Sequence, residues 1–212
     1  MSFQPFKSEK DLTRFAARFF RDRVQSFRKD VGVCLTAKAD GHHAYFPALI
    51  TCIGFLDFLS GLNAGKLEGH GLTELKAYIG KFFHRKADYA HADILYLMFR
   101  HKIAHLAYPY LVFDTATKPK LGPPRRRITW TVGIYRGKKP LKLIVYPTSQ
   151  TLVRSVTPWP VSYDARMVVS LTTLRTDIIE SIYGPSGYLS HLRADANARG
   201  RFARCIKEYA PP

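Results

Sequence analysis

The longest apolar stretch of the chain, Ala44–Leu62, limits the folds that the chain can adopt. Pro47 lies near its start, where proline suits the first turn of a helix. The stretch is apolar on nearly every side, which predicts a buried, central helix. With Asp57 inside it, the stretch is too short and too interrupted to favour a membrane span. Other helices therefore have to surround it.

Helical periodicity predicts those neighbours. Ser8–Lys29 reads as a helix that Ser8 can cap, with one apolar stripe and with arginines on its other sides, namely Arg14, Arg18, Arg21 and Arg28. Further helices are predicted over Leu72–Phe83, Ala90–Leu106, Ala165–Tyr183 and Ser186–Tyr209, the last of them weakened near 197–200.

The residue pattern of the chain changes after Pro109 from helix-like to strand-like. The segments ITWTVGIY and LKLIVYP read as two strands that a short basic turn, Arg136–Pro140, joins into a hairpin. We therefore expect a mainly α fold, a helical bundle with a small antiparallel β-hairpin insertion. Residues 1–212 are predicted to form a single domain, in which 110–163 is the basic insertion.

The chain is strongly basic, with 33 Lys and Arg against 16 Asp and Glu and a formal charge of +17. Such an excess favours an anionic partner, with nucleic acid first and an anionic membrane surface second. A positive surface that is merely solvated is the alternative. The three cysteines are widely spread and contain no CxxC, which argues against a disulfide framework or a zinc knuckle and favours a reducing, cytoplasmic compartment.

Chemically active side chains occur at the end of an apolar run in Leu95–Pro109, LYLMFRHKIAHLAYP. Arg100 and His101 follow five apolar residues directly, and His105 comes one turn later. Burying such groups unpaired is costly, so their position indicates a function. Arginine can hold two phosphate oxygens, and histidine can transfer a proton near neutral pH. On an α-helix Arg100 and His105 would lie about 140° apart.

This pattern resembles the Arg-x4-His motif of HEPN domains, and the preceding apolar helix and following proline resemble one uncharacterised HEPN-like subgroup. The resemblance covers roughly residues 45–109. It implies a HEPN-like helical bundle and a metal-independent endoribonuclease acting on RNA as a homodimer, with the role of a toxin or defence effector and a neutralising protein partner. Arg100 and His105 of each chain would line one cleft, and His101 would supply a second proton transfer or orient the phosphate. A non-catalytic module that binds nucleic acid or docks a protein is the alternative.

Two further points concern the same motif. Asp57, the lone carboxylate of the apolar helix, is predicted to position Arg100 or His105, unless it simply faces solvent at the end of a shorter helix. His101 and His105 have the i, i+4 spacing of zinc ligands, but the glutamate of an HExxH motif is missing. We therefore expect neither a metal nor a cofactor.

Basic and aromatic residues alternate in the predicted insertion. From Thr115 to Tyr163 there are ten Lys or Arg and no acid. Charges that follow a phosphate backbone, beside rings that stack on bases, are typical of single-strand binding. Aromatic residues packed inside a sheet and a solvated basic edge would produce the same pattern. The predicted nucleic-acid contacts are Arg125, Arg126, Arg127, Trp130, Arg136, Lys138, Lys139 and Lys142.

Overall fold

The computed structural model describes residues 6–36, 43–101, 111–117, 126–135, 137, 139–152 and 158–210. The chain divides into two compact units. Unit 1 consists of Met1–Lys86 and Arg175–Pro212, and unit 2 of Ala87–Leu174.

Unit 1 is built from helices. They are α1 (Glu9–Leu35), α2 (Tyr45–Ala64), α3 (Leu72–Phe82), the end of α5 (Leu171–Tyr183), α6 (Tyr188–Ala194) and α7 (Ala196–Tyr209). The Ser8 side chain accepts a hydrogen bond from the Asp11 amide at the start of α1, so the predicted cap is confirmed. Rings from α1, α6 and α7 meet in the core, where Phe20, Tyr188 and Phe202 are fully buried.

Helix α2 is the apolar stretch of the sequence. Among the described residues it is the one helix long and apolar enough to cross a membrane by length and composition, with a mean hydropathy of 1.6 over its best 18 residues. Half of that window is buried inside the protein, as expected for a core helix. The predicted start at Pro47 and end at Leu62 each fall two residues inside the observed bounds.

Unit 2 begins with short helical segments. A 3-10 turn (Lys86–Tyr89) spans the boundary between the units and leads into α4 (Ala92–Leu95), which continues as a π-helix (Tyr96–His101). We had predicted one α-helix over Ala90–Leu106, whereas the described part of it changes its hydrogen-bonding pattern at Tyr96. The angle predicted between Arg100 and His105 stays a prediction, because residues 102–105 lie outside the described residues.

A four-stranded mixed sheet completes unit 2. It contains β1 (Phe113–Asp114), β2 (Arg127–Gly133), β3 (Leu141–Thr151) and β4 (Ser162–Ser170), in the order β1-β2-β4-β3. Strand β4 is parallel to β2 and antiparallel to β3. The predicted fold class, a mainly α bundle with a small antiparallel β-hairpin, is therefore wrong, because the two expected hairpin strands lie on either side of β4 and do not pair with each other.

The error in the fold class begins at Ala165. The sequence was expected to become helical there, but Ser162–Ser170 is a strand and α5 begins at Leu171. The side chains of Ala165, Met167 and Val169 are buried, the residues between them are half-buried, and Tyr163 lies beyond a shift in the register with β3. This alternation is the period of a strand with one covered face, and it outweighs the apolar pattern that had suggested a helix.

The last predicted helix is divided in two. The break falls at Asp195 and not near 197–200. The Asp195 carboxylate accepts hydrogen bonds from the amides of Asn197 and Ala198, so it caps α7. Gly200 lies inside α7 without interrupting it.

Candidate nucleic-acid interface

Unit 2 contains very few acids for its number of cations. Between Ala87 and Leu174 there are thirteen Lys and Arg but only four Asp and no Glu. Each of the four carboxylates already accepts a contact within the unit. Asp88 pairs with Lys139 at 3.0 Å, Asp93 accepts the Ile94 amide, Asp114 accepts the Ala116 amide, and Asp164 binds Ser149. The positive charge of unit 2 is therefore far from balanced by its own carboxylates.

The sheet presents part of this charge on one face. In β4 the buried residues Ala165 and Met167 point to the covered side, so Asp164 and Arg166 point to the other, which we call the open face. Arg127 precedes Ile128, the partner of Ala165, and therefore shares the open face. Lys142 pairs with Val168 and lies on it too. Two arginines and a lysine from three adjacent strands thus share one surface.

Asp164 organises one end of the open face. Its carboxylate accepts hydrogen bonds from the Ser149 hydroxyl at 2.5 Å and from the Arg127 amide at 3.2 Å. These hydrogen bonds, with smaller contributions from the charges of Arg126 and Arg127, lower the pKa of Asp164 below its ordinary value. The Arg127 guanidinium also donates to the Ser162 hydroxyl. Arg127 is held by both its backbone and its side chain, so its charge is pre-positioned.

Arg166 lies against two aromatic rings on adjacent strands. Its guanidinium carbon is 5.4 Å from the centroid of the Tyr163 ring and 5.9 Å from that of Tyr146, within the range of cation–π attraction. It also donates to the Tyr163 hydroxyl at 2.5 Å. The two rings meet edge to face, with their centroids 5.7 Å apart. Packing of this kind fixes the guanidinium plane, which favours directed contacts with an anion.

An exposed indole lies just before β4. The Trp159 residue is 66% exposed, the highest exposure among the large aromatic residues that the structure describes. It precedes Ser162, the hydrogen-bond partner of Arg127, by three residues. The Leu152 amide donates to the Val161 carbonyl and closes this end of the β3–β4 pair. An exposed indole three residues before the partner of Arg127 offers a ring on which a base can stack.

The predicted nucleic-acid residues fall into several environments. Arg126 and Arg127 enter β2 beside Asp164, and Lys142 is exposed on β3. Lys139 is paired with Asp88. The Trp130 ring meets Phe99 edge to face at 5.3 Å on the covered side of the sheet, because Trp130 pairs with the buried Met167. Arg125, Arg136 and Lys138 lie outside the described residues.

Arg166 was missing from the sequence-based set. It lies three residues beyond Tyr163, where the acid-free stretch was taken to end at Asp164. The period-2 alternation of Tyr163–Ser170 was the available signal. Had that segment been assigned to a strand, Arg166 would have been placed on the same face as Asp164.

The Arg-x4-His segment starts within the π-helix of unit 2. Met98 and Phe99 are fully buried there, and Phe99 anchors the segment on Trp130. The backbone of Arg100 and His101 closes the π-helix. The side chains of these two residues, and the whole of His105, lie outside the described residues.

Asp57 is described in unit 1. It lies half-buried on α2, and its carboxylate is 3.3 Å from Nε2 of His70. The same histidine nitrogen lies 3.1 Å from the Asp57 carbonyl oxygen. The expectation that Asp57 ends a shorter helix is wrong, because α2 continues to Ala64. Its predicted role in positioning Arg100 or His105 stays a prediction.

The last kind of site to compare with the structure is a metal centre. Within the described ranges, no group of three or more His, Cys, Asp or Glu side chains is arranged to hold a metal ion. No protein-family model, no curated protein and no solved structure matches the chain.

Proposed function

We propose that the protein binds single-stranded RNA through the open face of the unit 2 sheet. The observation that carries this proposal is the charge imbalance of unit 2, in which all four carboxylates are engaged within the unit while thirteen cations are present. Phosphates supplied by a partner would balance those cations and release counterions. Arg127 and Arg166 would contact phosphates, and Trp159 would stack on a base.

The geometry favours a single strand over a duplex. Arg127 and Arg166 are fixed on a sheet, and Trp159 is exposed three residues before Ser162, the partner of Arg127. An indole can stack only on bases that are not already stacked in a helix. RNA is proposed over DNA because the chemistry of the Arg100–His105 motif requires a 2′-hydroxyl.

Fluorescence anisotropy with a labelled single-stranded RNA tests this binding site. The double variant Arg127→Gln/Arg166→Gln should weaken binding and lower the dependence of log K on log salt by about 1.4, at about 0.7 for each lost phosphate contact. The matched control Arg193→Gln/Arg204→Gln removes two exposed cations of unit 1 and should leave this dependence close to that of the wild type. Equal effects of the two pairs would show that the open face has no special part in binding.

Cleavage of the bound RNA is a second candidate function. It is favoured by the π-helix at Tyr96–His101, since π-helical turns are frequent at functional sites. His105 would take the 2′-hydroxyl proton, Arg100 would stabilise the charge on the phosphorane, and His101 would protonate the leaving oxygen or orient the phosphate. The products would be a 2′,3′-cyclic phosphate and a 5′-hydroxyl. In this proposal two chains form a homodimer that brings two motifs to one cleft.

Incubation with a mixed-sequence RNA in excess EDTA tests cleavage. His105→Ala should reduce the rate by about 100-fold or more, the usual contribution of a general acid or base, and should leave salt-dependent binding unchanged. Equal rates for the wild type and the variant would point to a contaminating nuclease. Tight binding by both proteins without cleavage would leave the protein as an RNA-binding module.

A further inference from the structure

A row of cations runs along α1 on unit 1. The exposed residues Lys10, Arg14, Arg18, Arg21 and Arg28 follow one another at intervals of three, four and seven. At 100° per residue they lie within about 40° of one line along the helix, and the row is about 27 Å long. Gln25 fills the remaining position on this line. We call these five cations the α1 row.

The row ends at a groove between α1 and α5. This groove has a volume of about 380 Å³, and its lining residues are Arg28, Arg175, Thr176, Ile179 and Glu180. Four of them lie on one side of α5, and Arg28 comes from α1. Two arginines, Arg28 and Arg175, and one acid, Glu180, therefore line this groove.

An exposed phenol lies next to this groove. Tyr183 ends α5, one turn after Ile179, and is 44% exposed. Partial burial raises the pKa of the Tyr183 hydroxyl, and the nearby charges of Arg28 and Arg21 oppose that rise. Unit 1 thus places an aromatic ring beside fixed cations, the combination that binds single-stranded nucleic acid.

We propose that the α1 row and the groove next to it form a second RNA-binding surface, on unit 1, which follows the phosphodiester backbone and stacks a base on Tyr183. The choice of RNA as the ligand rests on the proposed function. The row offers a cation every 4.5–6 Å over three successive intervals, from Lys10 to Arg21, and such a repeat matches a ligand with regularly repeated anions.

The composition of α1 argues against a membrane surface. A helix that binds an anionic bilayer exposes apolar residues beside its cations. In α1 the apolar residues Leu12, Ala16, Phe20, Val24 and Phe27 are buried in unit 1. The exposed side that carries the row therefore has charge but no apolar face to insert.

Salt-dependent RNA binding tests this surface. The triple variant Arg14→Gln/Arg18→Gln/Arg28→Gln should lower the slope of log K against log salt by about 2, at about 0.7 for each lost contact. Between 50 and 200 mM salt, the wild type should thus lose roughly 20-fold more affinity than the variant. The control Arg193→Gln/Arg204→Gln/Lys207→Gln removes the same charge from exposed positions of α6 and α7 and should change the slope much less. Far-UV circular dichroism verifies that both variants are folded.

Glu180→Gln supplies a test of opposite sign. Removing the carboxylate from the groove should tighten RNA binding, whereas a merely nonspecific cationic surface would respond weakly to this one change. Photocrosslinking of the bound RNA should label a peptide that contains Tyr183.

The outcomes separate the two surfaces. If the α1 triple variant loses RNA affinity and the Arg127→Gln/Arg166→Gln variant keeps the affinity of the wild type, the unit 1 surface is supported. The proposal that RNA binds the open face of unit 2 is then refuted. The reverse result, or equal slopes for the triple variant and its control, would overturn the unit 1 surface and leave the proposed function intact. Absence of RNA binding by the wild type at 50 mM salt would overturn both, and binding to phosphatidylserine vesicles that the triple variant abolishes would reassign the row to membranes.

Discussion

The two units of this protein carry similar net charges but use their acids differently. Unit 1 has twenty Lys and Arg against twelve Asp and Glu, and unit 2 has thirteen against four. In unit 1 two carboxylates bind arginines distant in sequence, as Asp177 of α5 does with Arg85, which follows α3, and Glu9 of α1 does with Arg199 of α7. In unit 2 they mostly accept backbone amides or hydroxyls and leave the cations for the surface.

The net charge of a unit therefore does not by itself indicate where an anion would bind. The positive charge of unit 1 lies largely on the outside of helices whose acids are used for packing. In unit 2 the described cations Arg127, Arg166 and Lys142 lie on the open face of the sheet, together with Asp164 and with Asp114, the partner of Arg127 in β1. Changes to the core and to the buried ion pairs of unit 1 should therefore act on stability, and changes to the open face of unit 2 on binding.

The largest expected effect is in the core of unit 1. Phe202 is fully buried, and its ring centroid lies 5.9 Å from those of both Phe19 and Phe20. Phe202→Ala should lower the free energy of unfolding by about 3–5 kcal/mol, because it leaves a cavity among these rings. Urea unfolding followed by far-UV circular dichroism measures the change, and a loss below about 1 kcal/mol would contradict this packing.

A matched substitution in unit 2 sharpens the comparison. Both tryptophans, Trp130 and Trp159, lie in unit 2, so their fluorescence follows that unit. Met167→Ala, at a fully buried position in β4, should shift the fluorescence transition by about 2–5 kcal/mol. If Phe202→Ala shifts the fluorescence transition as much as the dichroism transition, the two units unfold as one cooperative structure.

The part of the fold that could be predicted from the sequence differs between the two units. Helices α1, α2 and α3 follow from apolar periodicity and from the cap at Ser8, because those signals are local. The sheet of unit 2 depends on the pairing of β2 with a strand more than thirty residues later, which no local pattern fixes. Two strands joined by a short turn favour a hairpin. The position of β4 between them is set by tertiary packing, which overrides this local preference.

The candidate interface was only partly predictable for the same reason. Arg126, Arg127 and Lys142 could be named from the basic stretch, since charge is visible in the sequence. That Trp130 would pack on Phe99, and that Arg166 would join Arg127 on one face, depends on the strand register. The composition therefore identifies candidate cations, but only the pairing of the strands shows which of them share a surface.

Removal of the cation from the Arg85–Asp177 pair should cause the next largest loss of stability. The Arg85 guanidinium donates to both carboxylate oxygens of Asp177, at 2.8 and 3.0 Å, and Asp177 is 6% exposed. Arg85→Ala should cost about 2–3 kcal/mol, since it takes a charged donor from a buried carboxylate. Arg21→Ala is the control, because the pair of Arg21 with Asp22 is largely exposed and should contribute less than about 0.5 kcal/mol.

The expected effect of losing the exposed indole is on binding. Trp159→Ala should weaken RNA binding by about 1–2 kcal/mol, the range for the loss of one stacked base, with little change in stability. Val145→Ala alters another exposed apolar side chain, on β3, and should leave affinity unchanged. Equal affinities for wild type and Trp159→Ala would remove the stacking part of the proposed interface, and the charge argument would remain.

The smallest effects concern acid pH, where the acids of the two units can be compared directly. In unit 1, Glu74 accepts hydrogen bonds from Lys66 at 2.9 Å and from the Gly71 amide at 2.8 Å, which lowers its pKa from 4.5 to about 2. Its contribution to stability is therefore present above about pH 4.5 and is lost as the pH falls toward 2. Because Glu74 is well solvated, that contribution should stay below about 1 kcal/mol.

The stability advantage of the wild type over Glu74→Gln should accordingly shrink between pH 4.5 and pH 2, in urea transitions followed by circular dichroism. Asp164 in unit 2 has a pKa lowered from 3.8, chiefly by the Ser149 hydroxyl, so its contribution is lost only at still lower pH than the ordinary value. The advantage over Asp164→Asn, followed by tryptophan fluorescence, should thus persist at pH 4 and decline below it. A decline that begins near neutral pH in either unit would mean that Glu74 and Asp164 are not the groups whose protonation destabilises the protein in acid.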